Sequence, residues 1–161
     1  MRKGKRGQAA ITDLFIAISV CVILITVTTL SWELYNIRLN SRLDFDDMVI
    51  KGFIITDTLV KSPGIPNNWE ENPTTVVKIG LAEKDRTIDE EKLLAFIGLT
   101  EDQIKNNFQI GLYNIYFIIK NVNGTAIVDK GSTPTGSITI NLARIVMYKG
   151  EPKVMEFALW K

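Results

Sequence analysis

From Leu14 to Trp32 the chain reads LFIAISVCVILITVTTLSW, 19 residues without a formal charge. As an α-helix this run spans about 28 Å, close to the hydrocarbon thickness of a bilayer. Its polar members are serine and threonine, which can return their hydroxyls to the helix's own carbonyls. Cys21, the one cysteine, sits inside the run and reads as a small hydrophobe. Trp32 and Tyr35 close the run, as expected of rings at a membrane–water boundary. Any fold of this chain must therefore give the N-terminal segment lipid, or an equally apolar cover.

Arg2, Lys3, Lys5 and Arg6 stand ahead of the run with no acid beside them. By the positive-inside rule they place the N-terminus in the cytoplasm and everything after Tyr35 beyond the membrane. The formal net charge of +1 hides this asymmetry, because residues 8–161 hold 15 basic and 18 acidic side chains. A mildly acidic body offers no electrostatic footprint for nucleic acid. Histidine is absent and cysteine unpaired, which excludes the usual zinc sets and Ser-His-Asp or Cys-His catalysis. No enzyme activity and no cofactor are expected.

A cleaved secretory signal would need a small-x-small site after its apolar core, and Trp32-Glu33-Leu34-Tyr35-Asn36 does not make one. Ahead of the core stands Lys5-Arg6-Gly7-Gln8, a pair of cations, a glycine and a glutamine, followed by AAITDLFIAI. This junction resembles the class III signal peptides of archaeal type IV pilins. The resemblance implies a cut by a membrane prepilin peptidase between Gly7 and Gln8, so that residues 1–7 are a cytoplasmic leader and residues 8–35 a retained transmembrane helix. It also implies assembly with other pilin subunits on a pilus ATPase and platform. Many members carry an acid at the fifth mature position that pairs with a neighbour's terminal amine. Thr12 holds that position here, and the acid is Asp13, one place later. Asp13 has two readings, a subunit-pairing acid or a carboxylate at a helix start near residue 12.

Beyond Tyr35 the apolar positions Phe45, Met48, Val49, Gly52, Phe53, Thr56, Leu59 and Val60 recur at helical spacing. The helix is therefore expected to continue, amphipathic over residues 36–61, until Ser62-Pro63-Gly64 stops it. Arg38, Asn40 and the acids at 44–47 allow a break instead. The loop SPGIPNNW requires a structured turn, with Trp69 packed against the domain rather than serving a ligand. That string, with VVKIGLAEKD and DEEKLLAF after it, is similar to a pattern in archaeal pilin-like surface proteins.

Residues 75–82 alternate as a short strand. Thr87 with Glu90, and Thr100 with Gln103, predict capping boxes for two short helices, the first ending at Gly98. Asp89, Glu90, Glu91, Glu101 and Asp102 read as first-turn acids rather than a metal or catalytic set. Strands are expected at 113–120, 125–129, 137–148 and 154–160, with a hairpin at Asn123-Gly124 and a bulge near Ala143. Asn123-Gly124-Thr125 is also a glycosylation sequon, and Pro73 disqualifies Asn72-Pro73-Thr74. Turn chemistry alone is the competing account of Asn123.

The expected class is α+β, a long N-terminal transmembrane and amphipathic helix packed on a small antiparallel sheet, with residues 62–161 forming an extracytoplasmic domain. The expected function is a non-enzymatic pilin-like subunit, more minor than major in character, located at the membrane or in a surface filament. The alternative is an uncleaved, membrane-anchored binding module.

Overall fold

The computed structural model describes residues 4–136 and 138–161, with side chains from Ile11 onward. It falls into two units, a first ending at Asp44 and a second running from Phe45 to Lys161. Helix α1 covers Gly4–Lys61 and so supplies all the described structure of the first unit and the opening element of the second. It starts well before the expected residue 12 and stays helical across Arg38–Asp47, where a break was conceivable. No proline interrupts it, and Gly4 and Gly7 each cost only about 1 kcal/mol in a helix.

In the second unit the helical face that packs is Met48, Ile55, Thr56, Leu59 and Val60, all buried. Gly52 lies on the same face, where an added Cβ would press on Ile140 Cδ1 and Leu142 Cδ1. The missing side chain lets the helix backbone approach the sheet. Phe45 and Phe53, expected in this stripe, are largely exposed instead. The true stripe is rotated toward Ile55, and Phe53 lies at its margin beneath the Arg144 guanidinium, 5.2 Å from the ring centroid.

The sheet has six strands rather than the four-stranded antiparallel meander expected. In chain order they are β1 (Ala82–Lys84), β2 (Thr87–Ile88), β3 (Asn114–Asn121), β4 (Ala126–Gly131), β5 (Thr139–Tyr148) and β6 (Glu151–Trp160). Their spatial order is β1-β2-β5-β6-β3-β4, and the β2–β5 pair is parallel. β6 thus separates β5 from β3, and the loop after β4 carries the chain past two strands. Ile115, Phe117 and Ile119 on β3 and Met155, Phe157 and Leu159 on β6 are all buried at alternate positions, with Ile118 and Ala158 buried from the other face.

No bulge interrupts β5, whose register against β6 is continuous from Thr139–Trp160 to Tyr148–Glu151. The shift in apolar phase has another cause. Ile140, Val146 and Tyr148 are buried, Arg144 takes an inward position beside α1, and Ile145 is left 71% exposed.

Helices α2 (Glu90–Gly98) and α3 (Glu101–Phe108) add Leu93, Phe96 and Ile104 to the core. Phe96 meets Phe117 edge-on at 5.1 Å. The α3 box is as expected, with Thr100 and Gln103 bonding each other's backbone N–H. For α2 the cap is Asp89, not Thr87, and its carboxylate accepts from the Glu91 and Lys92 N–H groups. Thr87 is instead drawn into β2.

The strand expected at 75–82 is mostly replaced by an irregular crossing. A 3₁₀ turn occupies Pro73–Thr75, and the Val77 and Lys78 N–H groups donate to the Ile65 carbonyl. Ile79 N–H finds Asn107 Oδ1, while Leu81 and Ala82 donate to the Leu59 and Ser62 carbonyls at the end of α1. Trp69 is fully buried, as the packing reading holds, and its indole donates to the Gly80 carbonyl at 2.9 Å. A Cβ at Gly80 would run into Ser62 O and Gly64 N, backbone atoms that cannot step aside.

Gly80→Ala is therefore expected to destabilise the chain by about 2–4 kcal/mol. Gly98→Ala, a helical site with open space around it, should stabilise it by up to about 1 kcal/mol. Thermal unfolding of the full chain in detergent, followed by circular dichroism, reads both.

Candidate functional site

Between Ile11 and Leu34 the apolar side chains of α1 are exposed, and none of the most apolar 18-residue window is buried. That window has a mean hydropathy of 2.5, which makes the helix long and apolar enough to cross a membrane. Eleven of the residues 14–32 are Leu, Ile, Val or Phe. At about −0.3 to −0.6 kcal/mol each on an insertion scale, they contribute on the order of −5 kcal/mol, more than one flanking carboxylate removes.

Four of the hydroxyls in this stretch need no outside partner. Ser19, Thr26, Thr28 and Thr29 donate to the carbonyls of Phe15, Val22, Leu24 and Ile25, at 2.7–2.9 Å. In lipid such a bond replaces water at a group that would otherwise go unsatisfied. Trp32 and Tyr35 lie side by side, centroids 6.2 Å apart, as a wide amphipathic ring pair at the end of the run. Cys21 is exposed within it.

Asp13 is exposed, and its carboxylate has no partner among the described residues. Because α1 begins at Gly4, Asp13 lies in the third helical turn. The macrodipole acts mainly within the first turn, so the helix-start account of Asp13 does not hold for the uncut chain. Arg2 and Lys3 lie outside the described residues. Lys5, Arg6, Gly7 and Gln8 are helical in backbone, and their side chains lie outside the described ones.

On the second unit, Ile50 and Ile54 are exposed on α1, and Phe53 is half-exposed at the margin of the packed face. The sequence reading missed this patch because it placed Phe53 in the core stripe, although Ile50 and Ile54 stand four apart. Asp47, nearby on the helix, bonds Lys51 and accepts from the Tyr113 hydroxyl, both at 2.8 Å. The Lys51 ammonium holds the Asp47 carboxyl below its ordinary range, with Tyr113 assisting, against partial desolvation that opposes it.

Two of the acids at the start of α2 are engaged within the domain. Asp89 caps the helix and Glu90 pairs with Lys149 at 2.6 Å, which holds that ammonium above its usual value. Among the described residues no three His, Cys, Asp or Glu side chains gather in a metal-holding group. Asn123 is exposed on the β3–β4 hairpin, where the sequence placed it.

Because Asp47 has a depressed pKa in the folded state, its contribution is present above pH ~4 and fades as pH falls below the unfolded value. Asp47→Asn should lower stability at neutral pH and flatten the acid-side decline, read as melting temperature against pH from 7 down to about 3.

Comparison with known proteins gives no match, either to a family model, to a curated protein or to a solved structure. The layout itself, a long apolar N-terminal helix followed by a small sheet domain, is compatible with the pilin plan.

Proposed function

We propose that this chain is a non-enzymatic, pilin-like structural subunit that is anchored by α1 and assembled through it into a surface filament. The observation that carries this reading is one helix bearing two different surfaces. Its residues 14–32 are uncharged, uncovered and internally hydrogen-bonded, while residues 48–60 form part of the core of a folded domain.

In the first stage the apolar run holds the protein in lipid, with the basic residues 2–6 on the cytoplasmic side and the domain outside. A prepilin peptidase then removes residues 1–7, leaving Gln8 as the new terminus. In the second stage helices leave lipid and pack against those of other subunits, driven from the cytoplasm by an assembly ATPase and its platform. Ala9, Ala10, Ala17 and Ser19 are small enough to let helices approach closely. Asp13, which has no partner among the described residues, is the carboxylate offered to a neighbour's amine. The domain's separate core favours a minor subunit over a bulk one.

A second reading, an uncleaved anchored module, draws on one observation: the backbone at Gly7 already belongs to α1. A peptidase needs an extended segment, so the first turns would have to unwind before cutting.

The N-terminal peptide of the protein in a membrane fraction distinguishes the two. A start at Gln8 is the expected mass-spectrometric result; Met1 or its neighbour retained in all copies would remove the pilin-like reading and leave the anchored module. Gly7→Ile should block processing while insertion persists, read as slower gel mobility of a membrane-bound band. Asp13→Asn should leave processing unchanged and strongly reduce recovery of the protein in sheared filaments, and undiminished recovery would end its pairing role.

A further inference from the structure

From the geometry of the β3–β4 hairpin we infer that Asn123 is a site of N-linked glycosylation, a modification that rests on the extracytoplasmic placement proposed above. The sequon Asn123-Gly124-Thr125 sits wholly in the turn, between Asn121, which ends β3, and Ala126, which begins β4. All three residues are exposed, and nothing approaches within 4 Å of a Cβ built on Gly124. A saccharide and its transferase both need that open space.

The turn fixes its polar groups in a selective way. Gly124 N–H donates to the Asn121 carbonyl at 2.9 Å, and Asn121 N–H donates to the Thr125 carbonyl at 2.8 Å. Thr125 N–H donates to Asn123 Oδ1 at 3.1 Å. Asn123 Nδ2 and the Thr125 hydroxyl make no hydrogen bond to any described residue, so the two groups the modification uses are left unengaged. Donation to Oδ1 draws density from the amide and makes Nδ2 a better proton donor. Nδ2 then displaces the phosphate of a lipid-phosphate-linked saccharide. The Nδ2–C1 bond forms as the C1–O bond breaks, one Nδ2 proton passes to a base of the transferase, and the lipid phosphate leaves.

Two neighbouring possibilities are disfavoured by the same turn. Asn-Gly pairs deamidate when the glycine nitrogen attacks the asparagine Cγ, and here that nitrogen is tied to the Asn121 carbonyl. Asn72-Pro73-Thr74 has an asparagine and a threonine at the right spacing but turns them on each other, Thr74 Oγ1 donating to Asn72 Oδ1 at 2.7 Å. With proline between them, it serves as the internal control.

The test is peptide mass spectrometry of the full chain recovered from the membranes of the cells that make it. A saccharide mass on the peptide containing Asn123, and none on that containing Asn72, is the expected result. Thr125→Ser should retain the sugar and Thr125→Ala should lose it, both with unchanged melting curves. Protease shaving of intact cells reports separately whether the domain is outside. An accessible domain with bare or merely deamidated Asn123 overturns this inference and leaves the placement standing. A protected domain with bare Asn123 overturns both.

Discussion

One helix in this chain has to be stable against two different surroundings, and the distribution of side chains along α1 follows from that requirement. Over residues 48–60 Met48, Ile55, Leu59 and Val60 turn one face into the domain core, while Ile50 and Ile54 stay outside it. Gly52 brings the backbone close enough for that packing to be tight. Over residues 14–32 apolar residues occur on every side, and serine and threonine are tolerated because each bonded hydroxyl is closed onto a carbonyl one turn back. A helix apolar all round belongs in lipid or against other helices, whereas a one-sided helix belongs on a domain.

The end of α1 sets the course of the segment that follows. Pro63 ends the ladder, and the carbonyls of Leu59 and Ser62 are then used by Leu81 and Ala82 as the chain returns. Trp69 fills the space this return creates and is held by the Gly80 carbonyl. Lys92, only 4% exposed, closes the same loop from below by donating to the Pro63 carbonyl. The composition SPGIPNNW thus serves as a plug whose polar groups are met by distant backbone and by one buried ammonium.

Much of this was legible in the sequence, for identifiable reasons. The helix, the hairpin at Asn123-Gly124 and the α3 capping box are local patterns whose cause lies within a few residues. What escaped the reading was settled over longer distances. The strand expected at 75–82 lost its ladder because the end of α1 and Asn107 supplied closer partners. The bulge expected at Ala143 was an artefact of Arg144, which takes an inward position for the sake of Phe53 on a different element. Phe53 itself was read into the core because periodicity gives the width of a stripe better than its centre. At the junction Lys5–Gln8 the chemistry is legible only by resemblance, since its meaning lies with a peptidase and not with the fold.

The position of β6 bears on when this domain can form. Of the six strands of this sheet it is the last to be synthesised, yet it lies between β3 and β5 and pairs with both along their lengths. Until it emerges, Phe117 and Leu142 lack the Phe157 that stands opposite each of them, and the two halves of the sheet have no shared neighbour. The β5–β6 hairpin is local, but the β3–β6 pairing joins residues far apart in sequence, and such pairings form slowly. The nascent polypeptide is thereby kept from collapsing early into a finished domain, and its sheet closes in a single late step.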